Sequence, residues 1–368
     1  MDLLIIGGGI AALATAWEAH NRGKSVLVLS KNRVGAATHA AGGMLTPAFE
    51  ADTAGSALLG LAQESLRLYP TWVQRLEDAS QQSAGYHQKG TLFLAQHRDH
   101  LSELEQLRAF QQEHGLECQR LTIRALRSLE ENLAPRLAGG LFSAESYSID
   151  PRSLQRVLQH ALCHAGVALK TFESLSFQRD GKRIQSIRLE RGDVLEAENI
   201  VVADGAWSAQ QPLLDWLPLR PVKGHYLLLK GEELIQHTIR TPDVYMIPRE
   251  EGHLYIGATM EEEGFCHKKK AGHLLDLLYH SWQFLRGIYE LEVMEFGIGF
   301  RPALRDHQPG IGRGHLSNLW LNIGHFRHGI LLAPAAARLL CDQIERPPSS
   351  SPFDPLRFWR EHEDSSQW

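Results

Sequence analysis

The sequence predicts an α/β fold with two parts: a parallel-sheet domain assembled from separated segments, and an antiparallel, β-rich (α+β) domain threaded between them. Three observations predict it. The chain opens as strand, glycine turn, helix and strand; its middle alternates short β-type segments with turns; and its end returns to a strand and a helix. Parallel strands need crossover connections, commonly helices, whereas antiparallel strands can be joined by tight turns. We therefore expect both ends of the chain to share one sheet.

The opening of the chain predicts a βαβ unit. "LLII" is a short apolar strand, "GGG" at 7–9 is a turn, and the Ala-rich stretch that follows has helix-forming residues and stops at Gly23. Glycine is the usual residue just past a helix end. "SVLVLS" at 25–30 is a β-branched run typical of a buried parallel strand.

The remaining elements follow from periodicity and from end signals. Apolar residues at three- and four-residue spacing predict helices over 57–79 and 99–114. Asp150 as N-cap and Pro151 at the first helical position predict a helix that stops at Gly166. Short β segments joined by turns follow, including the pair in "DVYMIPREEGHLYIGATM", and the chain then returns to a buried strand, "NLWLNIG", and a helix over 330–345.

These elements predict how the chain divides into domains. The parallel-sheet domain takes 1–80, 150–215 and 300–346, the β-rich domain takes 81–149 and 216–299, and a Pro/Ser-containing C-terminal tail takes 347–368 as a surface strap.

Composition excludes several classes of protein. The 368 residues are 43% hydrophobic and 22% charged, which suits a large core, and the net charge of −5 argues against a nucleic-acid-binding protein. The four cysteines are scattered with no CxxC pair, which indicates reduced thiols and a cytoplasmic protein. No leader and no apolar run of membrane-spanning length is expected. "CHKKKAGH" at 266–273 lacks a second cluster, so no metal site is predicted and a solvated basic loop is expected.

The glycine-rich turn indicates a dinucleotide site. Gly7 to Ala12 fits GxGxxG with alanine in third place, directly after a strand and opening a helix. Gly7 allows the tight turn, Gly9 lets the backbone approach a pyrophosphate, and the helix N-terminus offers N–H groups. The alternative is a turn with only a structural role.

The end of the second predicted strand lacks the acid that usually binds a ribose. Ser30 occupies that place, and Lys31 and Arg33 follow it. Serine with nearby cations is also the pattern that accommodates a 2′-phosphate, so NADP is a rival cofactor. The two cations could equally be solvated loop charges, and this stretch leaves the choice open.

Two later stretches favour FAD and a carboxylate substrate. The small residues of "VGAATHAAGGMLTPAFEA" (34–51) would let the backbone run along an extended FAD, although a flexible loop is the alternative. Gly324 and Gly329 frame a loop leading into a helix whose N–H groups could face a flavin carbonyl. Arg301 and Arg327 are candidates for a substrate carboxylate, because a guanidinium matches it bidentately; surface salt bridges are the alternative.

An ordered series of blocks carries a resemblance to a known family. The blocks run over nearly the whole chain: "IIGGGI", "AAGGML", "VVADGAWS", "PVKG", "VYMIPR", "IGATM", "FRPALRD" and "GHFRHGILLAP". The chain resembles the FAD-dependent amine oxidases of the D-amino acid oxidase family, and within it the members that oxidise glycine and serve thiamin biosynthesis. The fold this implies is a Rossmann-type FAD-binding domain built from discontinuous segments plus an antiparallel β-rich substrate domain.

The resemblance implies a reaction and its partners. The expected reaction is oxidative deamination of a small amino acid or amine, with glycine giving glyoxylate, ammonia and hydrogen peroxide. FAD would be bound non-covalently, since no cysteine lies beside the flavin-lining motifs. Molecular oxygen would be the electron acceptor, and the protein is expected to be a homo-oligomer. Sarcosine, a D-amino acid or a modified tRNA base are alternative substrates, and an NADP enzyme or a non-catalytic dinucleotide-binding protein are further alternatives.

The resemblance also implies roles for individual residues. Arg301 and the Tyr245 hydroxyl would bind the substrate carboxylate, Arg327 would add a positive contact, and Met260 would lie along the pocket. Main-chain groups near Ser174 would meet the adenine. The other residues expected to bind FAD are Gly7, Gly8, Gly9, Ile10, Ala11, Ser30, Lys31, Ala37, Thr38, Gly42, Gly43, Met44, His325, Phe326, Arg327, His328, Gly329, Ile330 and Leu331.

Three positions depart from the family pattern. Ser30 replaces the usual glutamate, which is expected to weaken the hold on the ribose. Asp243 stands where a histidine is found, which would change the charge of the pocket, and Thr46 is larger than the glycine often found near there. A pocket narrowed by Thr46 favours very small amines.

Overall fold

The structure of the protein is a computed structural model that describes residues 1–47, 55–346 and 350–359, apart from the side chains of residues 55 and 56. Its helices, in chain order, are α1 (Ile10–Asn21), α2 (Ala37–Ala40), α3 (Gly55–Ser80), α4 (Arg98–Glu113), α5 (Ile123–Leu129), α6 (Pro151–His164), α7 (Ala271–Phe284) and α8 (Gly329–Glu345).

Twenty strands are described. They are β1 (Leu3–Ile6), β2 (Val26–Ser30), β3 (Met44–Leu45), β4 (Tyr86–His87), β5 (Thr91–Ala95), β6 (Gln119–Leu121), β7 (Gly139–Ser143), β8 (Tyr147–Ile149), β9 (Ala168–Thr171), β10 (Leu175–Asp180), β11 (Arg183–Leu189), β12 (Val194–Leu195), β13 (Asn199–Val202), β14 (Leu219–Lys230), β15 (Thr238–Arg240), β16 (Tyr245–Arg249), β17 (His253–Gly257), β18 (Glu292–Leu304), β19 (Gly310–Arg313) and β20 (Leu319–Ile323).

The first layer is a six-stranded sheet in the order β19-β20-β13-β1-β2-β9. All neighbours are parallel except β19, which runs antiparallel to β20. β1 and β2 come from the start of the chain and β20 from its end, so the sheet is assembled from separated segments, as predicted. One face packs on α1, α3, α6 and α8, and the other on the small sheet β10-β11-β12.

The second layer is an eight-stranded sheet in the order β18-β14-β17-β16-β15-β5-β7-β6. Its pairs are antiparallel except for β15 with β5. Its apolar core packs against α7 and α5. The predicted fold class, a parallel-sheet domain plus an antiparallel β-rich domain, is confirmed.

Local chemistry explains where the elements begin. α6 starts at Pro151, with the Asp150 carboxylate accepting a hydrogen bond from the Arg152 amide at 3.0 Å, as the sequence predicts. The helices predicted at 57–79, 99–114 and 330–345 have the bounds Gly55–Ser80, Arg98–Glu113 and Gly329–Glu345.

The described part of the tail is anchored by aromatic side chains. Phe353 and Phe358 are buried in the two cores that flank the parallel sheet, and the Trp359 ring meets Trp216 edge-on. The remainder of the predicted strap, 347–349 and 360–368, lies outside the described residues, as do 48–51 of the small-residue run.

Among the helices in the described ranges, none has the length and apolar character needed to span a bilayer.

Candidate functional site

The glycine turn after β1 brings two backbones together. Gly7 has φ +140°, and a β-carbon on it would collide with the carbonyl oxygen of Ala203 at the end of β13. Gly9 is the N-cap of α1 and supplies no side-chain cap, while the Ile10 amide donates to Thr38 Oγ1 at 3.0 Å. The helix therefore begins with a small backbone surface beside a threonine hydroxyl from α2.

The segment that carries α2 and β3 packs so closely at Gly43 that there is no space for a side chain. Gly43 has φ +82°, and a β-carbon on it would collide with the Ile149 carbonyl oxygen and crowd Pro151. Backbone bonds continue this contact, since the Ile149 amide donates to the Gly43 carbonyl at 2.9 Å. Only glycine fits here, which explains the "AAGGML" pattern in physical terms.

Ser30 lies where the missing acid was expected, at the end of β2. A β-carbon on Gly8 would come within 2.8 Å of Ser30 Cβ, so this side chain stands beside the glycine turn. Lys31 Nζ donates to the Glu173 carbonyl oxygen, and Arg33 Nη2 lies 2.9 Å from Asp204 Oδ2. The two cations that favoured a 2′-phosphate are both engaged by other groups.

The Arg33–Asp204 ion pair is largely buried. Asp204 is 6% exposed, and burial raises the pKa of its carboxyl while Arg33 opposes that shift. The guanidinium of Arg33 also lies 5.4 Å from the ring centroid of Trp207. This pair joins the loop after β2 to the end of β13.

The main chain near Ser174 is exposed and partly occupied. The Glu190 carboxylate accepts hydrogen bonds from the amides of Glu173 and Ser174 at 3.0 and 3.1 Å. These bonds lower the pKa of Glu190. The same bonds fix the backbone of Glu173 and Ser174, where adenine contacts were predicted.

Arg301 extends from β18 and is oriented by two carbonyl groups. Its Nη1 donates to the Thr259 carbonyl at 3.1 Å and to the Lys223 carbonyl at 3.4 Å. A β-carbon on Gly224 would collide with the guanidinium, so glycine makes room for it in β14. The preceding residue, Phe300, donates its amide to the Gly35 carbonyl at 2.9 Å. Arg301 is therefore placed next to the segment that leads into α2.

Three tyrosine rings form a column across the antiparallel sheet. Tyr245 and Tyr255 are 6.1 Å apart between ring centroids with an 8° tilt, and Tyr255 and Tyr226 are 5.5 Å apart with a 13° tilt. A β-carbon on Gly42 or Gly257 would come within 2.6 Å of the Tyr245 ring. Glycines on two segments thus leave the space that this ring occupies.

Tyr255 and Arg249 connect this column to the α2 segment. The Tyr255 hydroxyl donates to the Ala40 carbonyl at 2.5 Å. Arg249 lies 4.8 Å from the Tyr255 ring centroid and donates to Asp150 Oδ1 at 2.9 Å and to the carbonyls of Ala41 and Gly42, each at 3.3 Å. Burial lowers the pKa of Arg249 and raises that of Tyr255.

Sequence reasoning missed Arg249, Tyr255 and the Arg33–Asp204 pair. Arg249 and Tyr255 lie in the hairpin that was recognised from "VYMIPREEGHLYIGATM", and an arginine that ends an otherwise apolar strand was a signal that it meets an acid or carbonyls. No local signal connects Arg33 with Asp204, because 170 residues separate them.

The loop from β20 to α8 contributes a buried imidazole and an open helix end. His325 is 4% exposed, its Nε2 has no hydrogen-bond partner within the described ranges, and burial lowers its pKa to about 4. Phe326 has φ +49°, and its amide donates to the Pro302 carbonyl at 2.8 Å. α8 then begins after His328, which supplies no side-chain cap.

Of the other predicted residues, Met260, Arg327 and Asp243 lie in more open positions, and Thr46 is buried. Met260 is 62% exposed, and the Arg327 guanidinium is exposed and lies 5.3 Å from the Phe326 ring centroid. Asp243, which was expected to change the pocket charge, lies 3.4 Å from His280 Nδ1 at a half-exposed position. Thr46 is 4% exposed and its Oγ1 has no partner within the described ranges.

Comparisons with known proteins show a family match and similar proteins over nearly the whole chain. Residues 2–343 match the DAO family, described as FAD dependent oxidoreductase. A "Bifunctional protein ThiO/ThiG" from a Nostoc species is 33% identical over 99% of this chain and 56% of its own length. A "Glycine oxidase" from Geobacillus kaustophilus is 28% identical over 98% of this chain and 97% of its own.

Solved structures resemble the fold closely. The crystal structure of glycine oxidase from Geobacillus kaustophilus superposes with a TM-score of 0.88 at 28% identity and covers 97% of this chain and 98% of its own. The chain thus spans nearly all of that protein but only about half the length of the bifunctional relatives that it matches.

Proposed function

The chain belongs to the DAO family of FAD-dependent oxidoreductases, and from this premise we propose that it oxidises glycine to glyoxylate, ammonia and hydrogen peroxide. Membership confirms two predictions, an oxidoreductase and FAD as its cofactor. We also propose, from the resemblance that the sequence carries, that the product of glycine oxidation supplies thiamin thiazole synthesis.

The residues of the candidate site fit the cofactor. The turn at Gly7 and Gly9 carries no side chain, and α1 begins there with no side-chain cap from Gly9, although its Ile10 amide donates to Thr38; this backbone suits a pyrophosphate. The buried Nε2 of His325 and Oγ1 of Thr46 have no partner within the described ranges, as expected of groups that meet a further polar ligand. We propose that Gly7 to Ala11, Ser30 and Lys31, Ala37 to Met44 and His325 to Leu331 hold FAD, with the adenine near Ser174.

One observation carries the substrate proposal: the guanidinium of Arg301 is oriented by two backbone carbonyls, on the strand whose Phe300 amide donates to the Gly35 carbonyl. A fixed guanidinium can bind a carboxylate through two parallel hydrogen bonds. We propose that Arg301 and the Tyr245 hydroxyl bind the substrate carboxylate, with Arg327 as a second positive contact and Met260 along the pocket.

The protein's part in the reaction is to bind and orient the substrate. Bound FAD would supply the hydride acceptor for the substrate Cα–H and the route by which electrons pass to molecular oxygen. Binding the carboxylate restricts the position of the substrate Cα. This restriction lowers the entropic cost of reaching the transition state and so contributes to the rate enhancement. No side-chain base is needed if the amine binds unprotonated, because the nitrogen lone pair then assists departure of the hydride.

Further expectations remain proposals of the same kind. We propose a domain division at 1–80, 150–215 and 300–346 against 81–149 and 216–299, because the first set supplies the parallel sheet. A homo-oligomeric state, oxygen as acceptor and a cytoplasmic location are also proposed, the last because all four cysteines are free thiols.

The test is the absorbance spectrum of the purified protein, followed without oxygen as glycine is added. Flavin bands that bleach with glycine and return with air are the expected result. Flavin bands that glycine leaves unchanged, but sarcosine or a D-amino acid bleaches, would overturn the glycine proposal and keep the enzyme class. A colourless protein that FAD cannot reconstitute would overturn the cofactor assignment and the reaction together.

A further inference from the structure

Two histidines and a glutamate converge on the face of β14 opposite Arg301. His225 lies on β14 and is fully buried, Glu261 follows β17, and His273 lies in the first turn of α7. Their candidate ligand atoms all lie within 4.8 Å of one another. The cluster joins three elements of the antiparallel domain, separate from the proposed flavin and substrate contacts.

The distances within the cluster suit a single small cation. His225 Nδ1 lies 3.1 Å from the nearer Glu261 carboxylate oxygen, and His273 Nε2 lies 3.7 Å from Glu261 Oε1. A tetrahedral zinc ion with nitrogen and oxygen ligands sets such atoms about 3.4 Å apart. All three atoms lie within 4.8 Å of one another, so no pair has to close by more than about 1.4 Å for the three to bind one metal.

The carboxylate is held in place but incompletely satisfied. The Glu261 main chain pairs with Lys223 in both directions, by bonds of 2.9 and 3.0 Å, so its position is fixed by the sheet. Its Oε2 is buried, 3.1 Å from His225 Nδ1 and 3.9 Å from Lys223 Nζ, and it accepts no well-aligned hydrogen bond within the described ranges. A metal ion bound to both the carboxylate and the imidazole would satisfy this oxygen.

Neighbouring charges leave the site able to take a cation. Lys223 Nζ is 3.9 Å from Glu261 Oε2, but it lies closer to Glu263, at 3.2 Å, and donates to the Lys268 carbonyl at 2.6 Å. Lys270 also pairs with Glu263. The nearby lysines are thus bound mainly to a second carboxylate, which leaves Glu261 with the two imidazoles.

The imidazoles have the surroundings of metal ligands. His225 Nδ1, the ring nitrogen that faces Glu261, also lies 3.1 Å from Thr259 Oγ1. His273 Nδ1 lies 3.8 Å from Asp276 Oδ2, and a carboxylate beside the second ring nitrogen is the usual support of a ligating histidine. If a metal binds His225 Nδ1, the ring proton must lie on Nε2. Nε2 can then no longer accept the long hydrogen bond of 3.4 Å from the Lys270 amide.

We propose that His225, Glu261 and His273 form a binding site for a divalent transition metal of the zinc class. Two neutral imidazoles and one carboxylate are a ligand set of zinc sites, with solvent completing the coordination. Thr259 connects this site to Arg301. Its carbonyl accepts a hydrogen bond from Arg301, and its hydroxyl accepts one from the His225 amide at 2.7 Å.

The test is equilibrium dialysis of the chelator-treated, flavin-loaded protein against Zn²⁺, with metal content measured afterwards. The expected result is one zinc per chain, and a dissociation constant raised at least about tenfold by Glu261→Gln and by His273→Ala. His280→Ala is the matched control, since it removes a histidine from the same helix, and it should bind zinc as the parent does.

Two outcomes would overturn the proposal. One is parent protein that retains no zinc, and the other is zinc binding that Glu261→Gln and His273→Ala leave unchanged. The flavin spectrum of each variant shows that it has folded. Co²⁺ provides a second readout, because a nitrogen-ligated tetrahedral ion absorbs at longer wavelengths than the flavin and that band should disappear in both variants.

Discussion

Arg301 owes its orientation to carbonyl groups rather than to an acid. Because Thr259 and Lys223 accept hydrogen bonds from a single Nη group, the guanidinium is fixed without its charge being neutralised by a carboxylate in those contacts. A side chain held in this way can bind an anionic substrate without first breaking an ion pair.

We predict that Arg301→Lys raises the KM for glycine. Lysine is a point charge that cannot donate to both carbonyls and also offer two parallel bonds to a carboxylate. Losing charge-assisted bonds of about 1.5–3 kcal/mol corresponds to a roughly 10- to 100-fold higher KM. Steady-state kinetics measure it, the flavin spectrum should be unchanged, and Arg313→Lys on the exposed end of β19 is the control. An unchanged KM would contradict the carboxylate assignment.

Ser30 provides a second prediction at this scale. A carboxylate at this position would accept hydrogen bonds from ribose hydroxyls, so Ser30→Glu is expected to tighten FAD binding about tenfold. Fluorescence titration of flavin-free protein measures the dissociation constant. Ser128→Glu, at an exposed position of α5, adds the same charge away from the glycine turn and should leave the affinity unchanged. Equal or weaker binding by Ser30→Glu would mean that this side chain does not reach the ribose.

At the scale of elements, the hairpin β16–β17 does more than extend the sheet. Through Arg249 and Tyr255 it holds the carbonyls of residues 40–42 and the N-cap of α6. Since the same hairpin begins with Tyr245, the proposed substrate and cofactor contacts are joined by one rigid element.

Arg249→Met is therefore expected to weaken FAD binding as well as to lower the melting temperature. It removes one of the donors to Asp150 and the Arg249 donor to two backbone carbonyls, and breaking a largely buried ion pair costs at most about 3–5 kcal/mol. Tyr255→Phe removes only the bond to Ala40 and should have a smaller effect in the same direction. Arg188→Met, on the exposed face of β11, is the control. A lower melting temperature with unchanged FAD affinity would mean that Arg249 contributes to stability and not to FAD binding.

The elements differ in how far the sequence predicts them. The βαβ opening and the cap at Asp150 depend on neighbours within a few residues, so both are readable from the printed sequence. The partners of Arg249 come from positions about 100 and 207 residues away and meet only because the two sheets pack together. The metal-ligand cluster has the same origin: "CHKKKAGH" contains one ligand, another lies on β14, and the third follows β17.

For the whole molecule, the described structure combines a parallel sheet that carries the glycine turn with an antiparallel sheet that carries Arg301 and Tyr245. The backbone bond between Phe300 and Gly35 and the buried Arg249 connect these layers. The proposed site thus depends on both sheets, which is why a motif at residues 7–12 alone predicted a nucleotide and no reaction.

The free energy of unfolding of the whole protein should decrease as the pH is lowered, because of its buried imidazoles. His325 has a folded pKa of about 4 and an unfolded value of about 6.5, so the unfolded state binds more protons between these values. His225 and His315 have pKa values lowered by burial and act in the same direction. The stability that neutral His325 contributes is present above pH 6.5, is lost as the pH falls towards 4, and changes no further below that.

We predict that His325→Asn flattens the pH dependence of the free energy of unfolding between pH 6.5 and pH 4.5. His325 contributes up to about 1.4 kcal/mol per pH unit to this slope, corresponding to one proton. Urea unfolding of the flavin-free protein at several pH values measures it, and the slope is the readout because the substitution also changes stability at every pH. His97→Asn, at an exposed position, should leave the slope as it is. A slope that His325→Asn does not change would mean that this buried ring is already charged in the folded protein.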